Sequence, residues 1–435
     1  MKFIIHRGSN QIGGSCVEVA TENTRIILDV GLPLDNSDNK FLNPRTSKQP
    51  RSHYPSNAKH VPKVAGLFQD GKPVDAILLS HAHADHSGLL NHANPVIPVY
   101  CTRGTSKMLL AGGIFAQQVQ LDRKRVRELV PKKPTRIGDF VVTAFSVDHS
   151  AFDSVAFLIE ADGKRLLYSG DLRLHGRKPW MGEELLAATA AKPIDVLMME
   201  GTHFSSQREA GWTEAELEDK VQQHISQQSG LVLANFSPMH VDRLVSFYKA
   251  ARRSKRIFVV DPYAAFVMHL VASQCRVPRP EAKSGIMVYY NRLFEQSWQK
   301  RNLQKIHNMF VKNRIELETI LSEPEKYVMV CRPSMVKADF SGTFLPKTAW
   351  IYSYWDGYLK RTDSEYPDLK TRLEDNGGNF SIYHTSGHIF AKDIVTFVKN
   401  VNPGCVVPIH TTERNEFQKR FDNVLMVSDG GIVKL

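Results

Sequence analysis

The first two hundred residues alternate short apolar runs with polar turns. Phe3–Ile5, Cys16–Val19 and Arg25–Leu28 have the composition of strands. The run Asp75-Ala-Ile-Leu-Leu-Ser80 is apolar or small over 76–80 and reads as a buried strand. Further strands are expected at Phe140–Phe145, Val155–Ile159, Arg165–Tyr168 and Ile194–Met199. A helix should begin at Ser87–Asn91, and a helical segment over 104–130 should end in the basic cluster Arg123, Lys124, Arg125, Arg127. The polar stretch 34–63 reads as a loop, either a surface excursion or a segment that touches substrate.

Near residue 205 the rhythm changes. Thr213 caps a charged amphipathic helix reaching His224, with Glu214, Glu216 and Glu218 early in it. Strand Leu231–Ala234, helix Val241–Ala251, strand Arg256–Val260 and helix Ala264–Ser273 follow. This βαβα order implies a parallel sheet. Tyr327–Cys331 and Ala349–Tyr352 continue it, and the charged span 280–325 reads as mostly helical. The first pattern is expected to return near 380, with strand Phe380–Tyr383, a helix from about 391 and strand Cys405–Ile409.

Composition narrows the class. A chain of 435 residues predicts two domains. No run of 18 apolar residues exists, so no membrane partner is expected. Met1-Lys-Phe-Ile-Ile-His-Arg has no signal-peptide core. Five scattered cysteines without a CxxC pair read as reduced thiols, so a cytoplasmic location is expected. The net charge of +11 suits a polyanionic substrate.

The chemistry concentrates in His81-Ala-His83-Ala-Asp85-His86, at the exit of the 76–80 strand. Imidazole and carboxylate ligands suit zinc, manganese or iron. Four ligand-type residues within six positions exceed what one tetrahedral ion takes from a single segment. The spacing therefore points to two adjacent ions. Three more strand exits supply His149, Asp171 (after Gly170, which permits a sharp turn) and His410. His81, His83 and His149 would hold one cation; Asp85, His86 and His410 would hold the other. Asp171 would bridge them, with a shared hydroxide that loses its proton near neutral pH.

With these residues in place the sequence resembles the metallo-β-lactamase superfamily, and within it the β-CASP nucleases that process RNA, ribonuclease J among them. Asp29 matches the family's first motif and supports the metal loop from behind. His81–His86, His149 and Asp171 match the next three. Glu200 in Met199-Glu-Gly-Thr-His203, His388 in His384-Thr-Ser-Gly-His388, and His410 match the three β-CASP motifs. The resemblance implies an α/β protein. A metallo-β-lactamase αββα sandwich would be built from 1–204 and 376–435, and an inserted α/β β-CASP domain from 205–375, with substrate in the cleft between them.

It further implies two divalent metal ions, zinc with manganese as the alternative. The expected reaction is hydrolysis of single-stranded RNA, exo- or endonucleolytic, by attack of the metal-bridging hydroxide on phosphorus. His388 would be the general acid, oriented by Glu200; with Asp85 they form the catalytic set. Ser386 and His384 would contact phosphate. A histidine at 410 goes with RNA-processing members of the family, which makes DNA the lesser substrate. A DNA nuclease of the repair type, a small-molecule metallohydrolase and an idle binding subunit are the alternatives, and a homodimer is the alternative to a monomer.

Overall fold

The computed structural model describes residues 1–34, 61–116, 118–204, 210–281, 283–361 and 363–435. Most of the expected loop at 34–63 therefore lies outside the described residues. The chain forms two compact units, 1–211 with 387–435, and 212–386.

The first unit stacks two sheets. One orders its strands Ile432–Lys434, Lys2–Arg7, Cys16–Ala20, Arg25–Leu28, Ala76–Leu78, Val99–Cys101, Val126–Glu128. The other runs Cys405–Ile409, Val196–Glu200, Lys164–Tyr168, Val155–Ala161, Phe140–Ser146, Thr135–Ile137. Side chains alternate across a strand, so each inner strand of the second sheet feeds two cores. Phe157, Ile159, Leu166, Tyr168, Met198 and Val407 pack with Phe3, Val17, Leu28 and Leu78 between the sheets. The intervening Leu158, Leu167, Leu197 and Val406 pack with Ile394, Phe397 and Val398 of helix Ala391–Val401 and with Leu185 of helix Trp180–Ala190. Burial on both faces explains why these strands read as unbroken apolar runs. The layering is that of the expected αββα sandwich.

The second unit is a seven-stranded sheet, ordered Arg314–Ile315, Ile286–Tyr289, Ile257–Val260, Tyr327–Val330, Val232–Asn235, Ala349–Tyr352, Asn379–Ile382. Every pairing in it is parallel. Local signals match the elements. Thr213 and Glu216 close a capping box on helix Glu214–Ser226. Asp261 caps helix Pro262–Val271, with proline in its first turn.

Four expectations change. The strand near 380 pairs with Ala349–Tyr352 and so belongs to the second unit's sheet, not the first. Its pattern, Asn-Phe-Ser-Ile, suits an edge strand in either sheet, so composition alone could not assign it. The helix expected over 104–130 stops at Phe115. Asp122 then accepts from the Lys124 amide to start a 3₁₀ turn, and Val126–Glu128 joins the sheet beside Val99–Cys101. The helix at the metal loop is one turn, Ala84–Ser87. The span 280–325 holds strands Ile286–Tyr289 and Arg314–Ile315 between short helices.

One buried ion pair organises the second unit. The Arg243 guanidinium donates to both oxygens of Glu214 at 2.8 and 3.2 Å, to the Ser353 carbonyl at 3.0 Å and to the Thr385 carbonyl at 3.1 Å. Both side chains are fully buried, so removing one leaves an uncompensated charge. Glu214→Ala should lower stability by about 3–5 kcal/mol in urea denaturation followed by tryptophan fluorescence. A loss below about 1 kcal/mol, the range of an exposed pair, would contradict this reading.

Candidate metal centre

Every residue of the expected metal set belongs to the first unit and leaves a strand end. His81–His86 follow Ala76–Leu78, His149 follows Phe140–Ser146, Asp171 follows Lys164–Tyr168 and His410 follows Cys405–Ile409. Several exits need unusual backbone. Asp29 and His410 are left-handed, with φ of 58° and 52°, a conformation that non-glycine residues adopt mostly where surrounding structure enforces it. Gly170 is also left-handed, φ 54°, and a Cβ there would lie 2.9 Å from the Val155 carbonyl oxygen. At Gly31 a Cβ would fall 1.7 Å from the Asp85 carbonyl oxygen, so only glycine lets the metal loop settle there.

The side chains converge in three groups, the last two sharing Asp171 and His410. Ligand-type atoms of His81, His83 and His149 form one cluster, those of Asp85, His86, Asp171 and His410 a second, and those of Asp171, Glu200, His388 and His410 a third; within each, all lie within 4.8 Å of one another. His149 Nε2 is 3.1 Å from His83 Nδ1, and His410 Nε2 is 3.2 Å from Asp85 Oδ2. Asp171 Oδ2 stands between the clusters, 3.7 Å from His81 Nε2, 3.8 Å from His149 Nε2, 3.1 Å from His86 Nε2 and 3.9 Å from His410 Nε2.

A supporting layer fixes the rings. Asp29 accepts from the Ser80 amide and hydroxyl, each at 2.7 Å, from His86 Nδ1 at 2.8 Å and from the Tyr168 hydroxyl at 2.8 Å. His149 Nδ1 donates to the Gly387 carbonyl at 2.5 Å. Ser80 Oγ meets His81 Nδ1 at 3.0 Å, and Thr202 Oγ1 meets His410 Nδ1 at 2.9 Å. With Nδ1 so engaged, Nε2 of these four imidazoles faces inward, as outer-layer hydrogen bonds do around metal-ligating histidines.

The polar accounting fits a cation. Asp171 Oδ1 and Oδ2, His81 Nε2 and His86 Nε2 are buried and make no well-directed hydrogen bond among the described residues, the 3.1 Å approach of His86 Nε2 to Asp171 Oδ2 being an ion-pair contact. Buried polar atoms rarely go unsatisfied, and an ionised carboxylate without compensation is among the costliest groups to bury. Protonation follows the same geometry. Burial, then the neighbouring imidazoles, hold His81 well below the ordinary histidine value, leaving it neutral as a ligand must be. Burial does the same for His149. Burial also opposes charge on His86, but Asp171 and Asp29 outweigh it and raise His86 well above its ordinary value. Burial would raise Asp171, yet His410, His86 and His388 pull it well below the carboxylate range.

Glu200 and His388 adjoin the second cluster. His388 Nδ1 lies 3.2 Å from each Glu200 oxygen and 3.7 Å from Asp171 Oδ2. Glu200 also accepts from the Leu172 amide at 3.1 Å and the Thr202 amide at 3.3 Å. Burial lowers His388, but Glu200 and then Asp171 overcome it and raise it to about 9. Sequence reading missed Thr202, whose hydroxyl also lies 3.2 Å from His388 Nδ1, and the supporting Ser80 and Tyr168. Their only signal was adjacency: Thr202 follows Glu200 by two positions, and Ser80 precedes the histidine loop. His384 and Ser386 are residues of the second unit. There His384 Nδ1 is 3.5 Å from Arg243 Nη1, and burial followed by that guanidinium's charge lowers His384 to about 3.

Comparison with known proteins agrees with this picture. A model of the beta-lactamase superfamily domain matches residues 43–235. The "RNase J-like protein" of Methanocaldococcus jannaschii is 29% identical over 215 residues, covering 47% of this chain and 43% of that protein. "Ribonuclease J" of Sinorhizobium meliloti is 31% identical over 118 residues, covering 26% of this chain and 20% of that protein. The chain thus spans less than half the length of these relatives. The crystal structure of a protein of unknown function from Enterococcus faecalis V583 superposes with a TM-score of 0.79 at 21% identity, covering 100% of this chain and 99% of that one, which establishes the shared fold. The match to the beta-lactamase superfamily domain, together with the His/Asp clusters, implies divalent metals. Residues 43–235 are thus similar to the beta-lactamase superfamily domain, and parts of the chain are similar to proteins named RNase J-like protein and ribonuclease J.

Proposed function

We propose that the chain is a metal-dependent ribonuclease that hydrolyses phosphodiester bonds in single-stranded RNA. The observation that carries this reading is the unsatisfied Asp171 carboxylate among inward-facing imidazoles, with the Glu200–His388 pair beside it. The names of the relatives, RNase J-like protein and ribonuclease J, support RNA over DNA. His81, His83 and His149 would hold one cation, Asp85, His86 and His410 the other, with Asp171 shared. Zinc suits this donor set, and manganese is the alternative. When bound, such a pair of cations supplies an activated water and neutralises charge on the phosphoryl oxygens.

The chain's own groups would do the rest. Glu200 holds His388 through Nδ1, so the mobile proton is the one on Nε2, available to the leaving 3′-oxygen. Glu200, the largest of the groups that raise His388, favours keeping that proton in place at neutral pH. Thr202 braces the rings of both His388 and His410. Asp85 belongs to the same machinery through His410. His384, neutral at physiological pH, would serve phosphate as a hydrogen-bond donor and not as a cation, with Ser386 beside it in sequence. The product would carry a 5′-phosphate and a 3′-hydroxyl.

The test is incubation with matched 5′-labelled single-stranded RNA and DNA in zinc or manganese, beside the Asp85→Ala/His86→Ala variant. RNA cleavage that the variant loses, with DNA spared, is expected, and the product ladder reports end-directed or internal cutting. DNA preference, or cleavage of neither by the metal-loaded protein, would overturn the proposal.

His388→Ala should keep its metal and lose turnover by about 10²-fold or more; normal turnover would remove the acid assignment. Asp171→Ala should lose metal in elemental analysis, and full metal content there would contradict the bridging role. A third expectation comes from His86. Raised well above its ordinary value, it carries a proton at pH 7 without metal, and a cation on Nε2 must displace it. Zinc binding should therefore release protons and tighten as pH rises through neutrality. Titration calorimetry in two buffers of different ionisation heat measures this; identical apparent heats would contradict it.

A further inference from the structure

The segment Arg123–Arg136 holds Arg123, Lys124, Arg125, Arg127, Lys132, Lys133 and Arg136 against the single acid Glu128, a net +6. More than half of the chain's +11 thus sits in 14 of its 435 residues. The segment links the two sheets of the first unit. Val126–Glu128 is the last strand of one and Thr135–Ile137 the last strand of the other.

The topology orients this run toward the metal centre. Val126–Glu128 lies parallel to Val99–Cys101, which lies parallel to Ala76–Leu78, the strand that delivers His81–His86. Two inter-strand steps make that about 10 Å. Thr135–Ile137 is antiparallel to Phe140–Ser146, with Thr135 opposite Val142, so its start lies toward the exit that delivers His149. The intervening turn, with Lys132 and Lys133, is therefore on the sheet end that bears the site. Arg123–Arg125 begin from the opposite end. The cations run down one side of the sandwich toward the centre.

The scaffold beneath is fixed. Leu129 and Ile137 are buried in the core between the sheets. Arg125 donates to the Ile97 and Asn94 carbonyls at 2.9 and 3.3 Å and is a structural anchor. The other six cations are exposed, and among the described residues only Lys132 pairs with a carboxylate, Glu184 at 2.8 Å. Charge on a free edge prevents edge-to-edge pairing, but either sign or a mixture would do that. One sign at this density fits a polyanion.

We propose that this basic edge is a track for the phosphate backbone of single-stranded RNA, leading to the metal centre. It rests on the ribonuclease reading. The test uses Lys124→Gln/Arg127→Gln/Lys133→Gln in the full, metal-loaded chain, with its melting temperature checked against the parent. The variant should hydrolyse a dinucleotide at the parent's rate and bind a 30-nucleotide RNA at least tenfold more weakly at low salt. The slope of log affinity against log salt should fall by about 2, from roughly 0.7 per neutralised phosphate. Binding is read by fluorescence anisotropy with an uncleavable phosphorothioate RNA, so it is decided even if no cleavage occurs. Absent cleavage alone would overturn the ribonuclease reading and leave the track to be judged by the salt slope. Unchanged affinity and slope would overturn the track. So would competition by polyglutamate equal to that by RNA, which would mark a surface for acidic protein.

Discussion

The Asp171 carboxylate is buried with neither oxygen in a well-directed hydrogen bond among the described residues and with nitrogens of five histidines 3.1–3.9 Å from Oδ2. A protein interior tolerates that arrangement only with compensating positive charge. Protons on His86 and His388 can supply it, as their raised values indicate; divalent cations would supply it better and would also engage the nitrogens that make no such bond. The rest of the first unit serves this convergence. Four strands end beside Asp171, and Gly31, Gly170 and the left-handed Asp29 and His410 let their exits meet.

Much of the centre was legible because metal ligation needs few residue types and strand ends gather in one layer. His81–His86 announced itself by density. His149, Asp171 and His410 were weak singly and gained weight only as strand exits. Asp29, Glu200 and His388 came from family resemblance, since nothing in their own spacing points to a role. Thr202 and Tyr168 escaped both routes: a hydroxyl that braces an imidazole, as Thr202 does, or the carboxylate behind one, as Tyr168 does, carries no pattern, and its partner lies up to 208 positions away.

The fold was legible where burial dictated sequence. Strands with two buried faces, such as Val196–Glu200 and Val232–Asn235, appeared as apolar runs within one or two residues of their bounds. Edge strands were read less well: Val126–Glu128 was hidden in an expected helix, and the strand near 380 was found within one residue of its bounds but assigned to the other sheet. Val126–Glu128 and Asn379–Ile382 bury little, so their neighbours in space, not their composition, fix their identity. The same basic residues that disguised Val126–Glu128 as a helix end give that edge its charge.

The most direct measurement is anomalous diffraction at the zinc edge from crystals grown with zinc. The account predicts two peaks about 3.5–4 Å apart on either side of the Asp171 carboxylate, one against His81, His83 and His149, the other against Asp85, His86 and His410. A single peak, or none at full zinc occupancy of the solution, would contradict it.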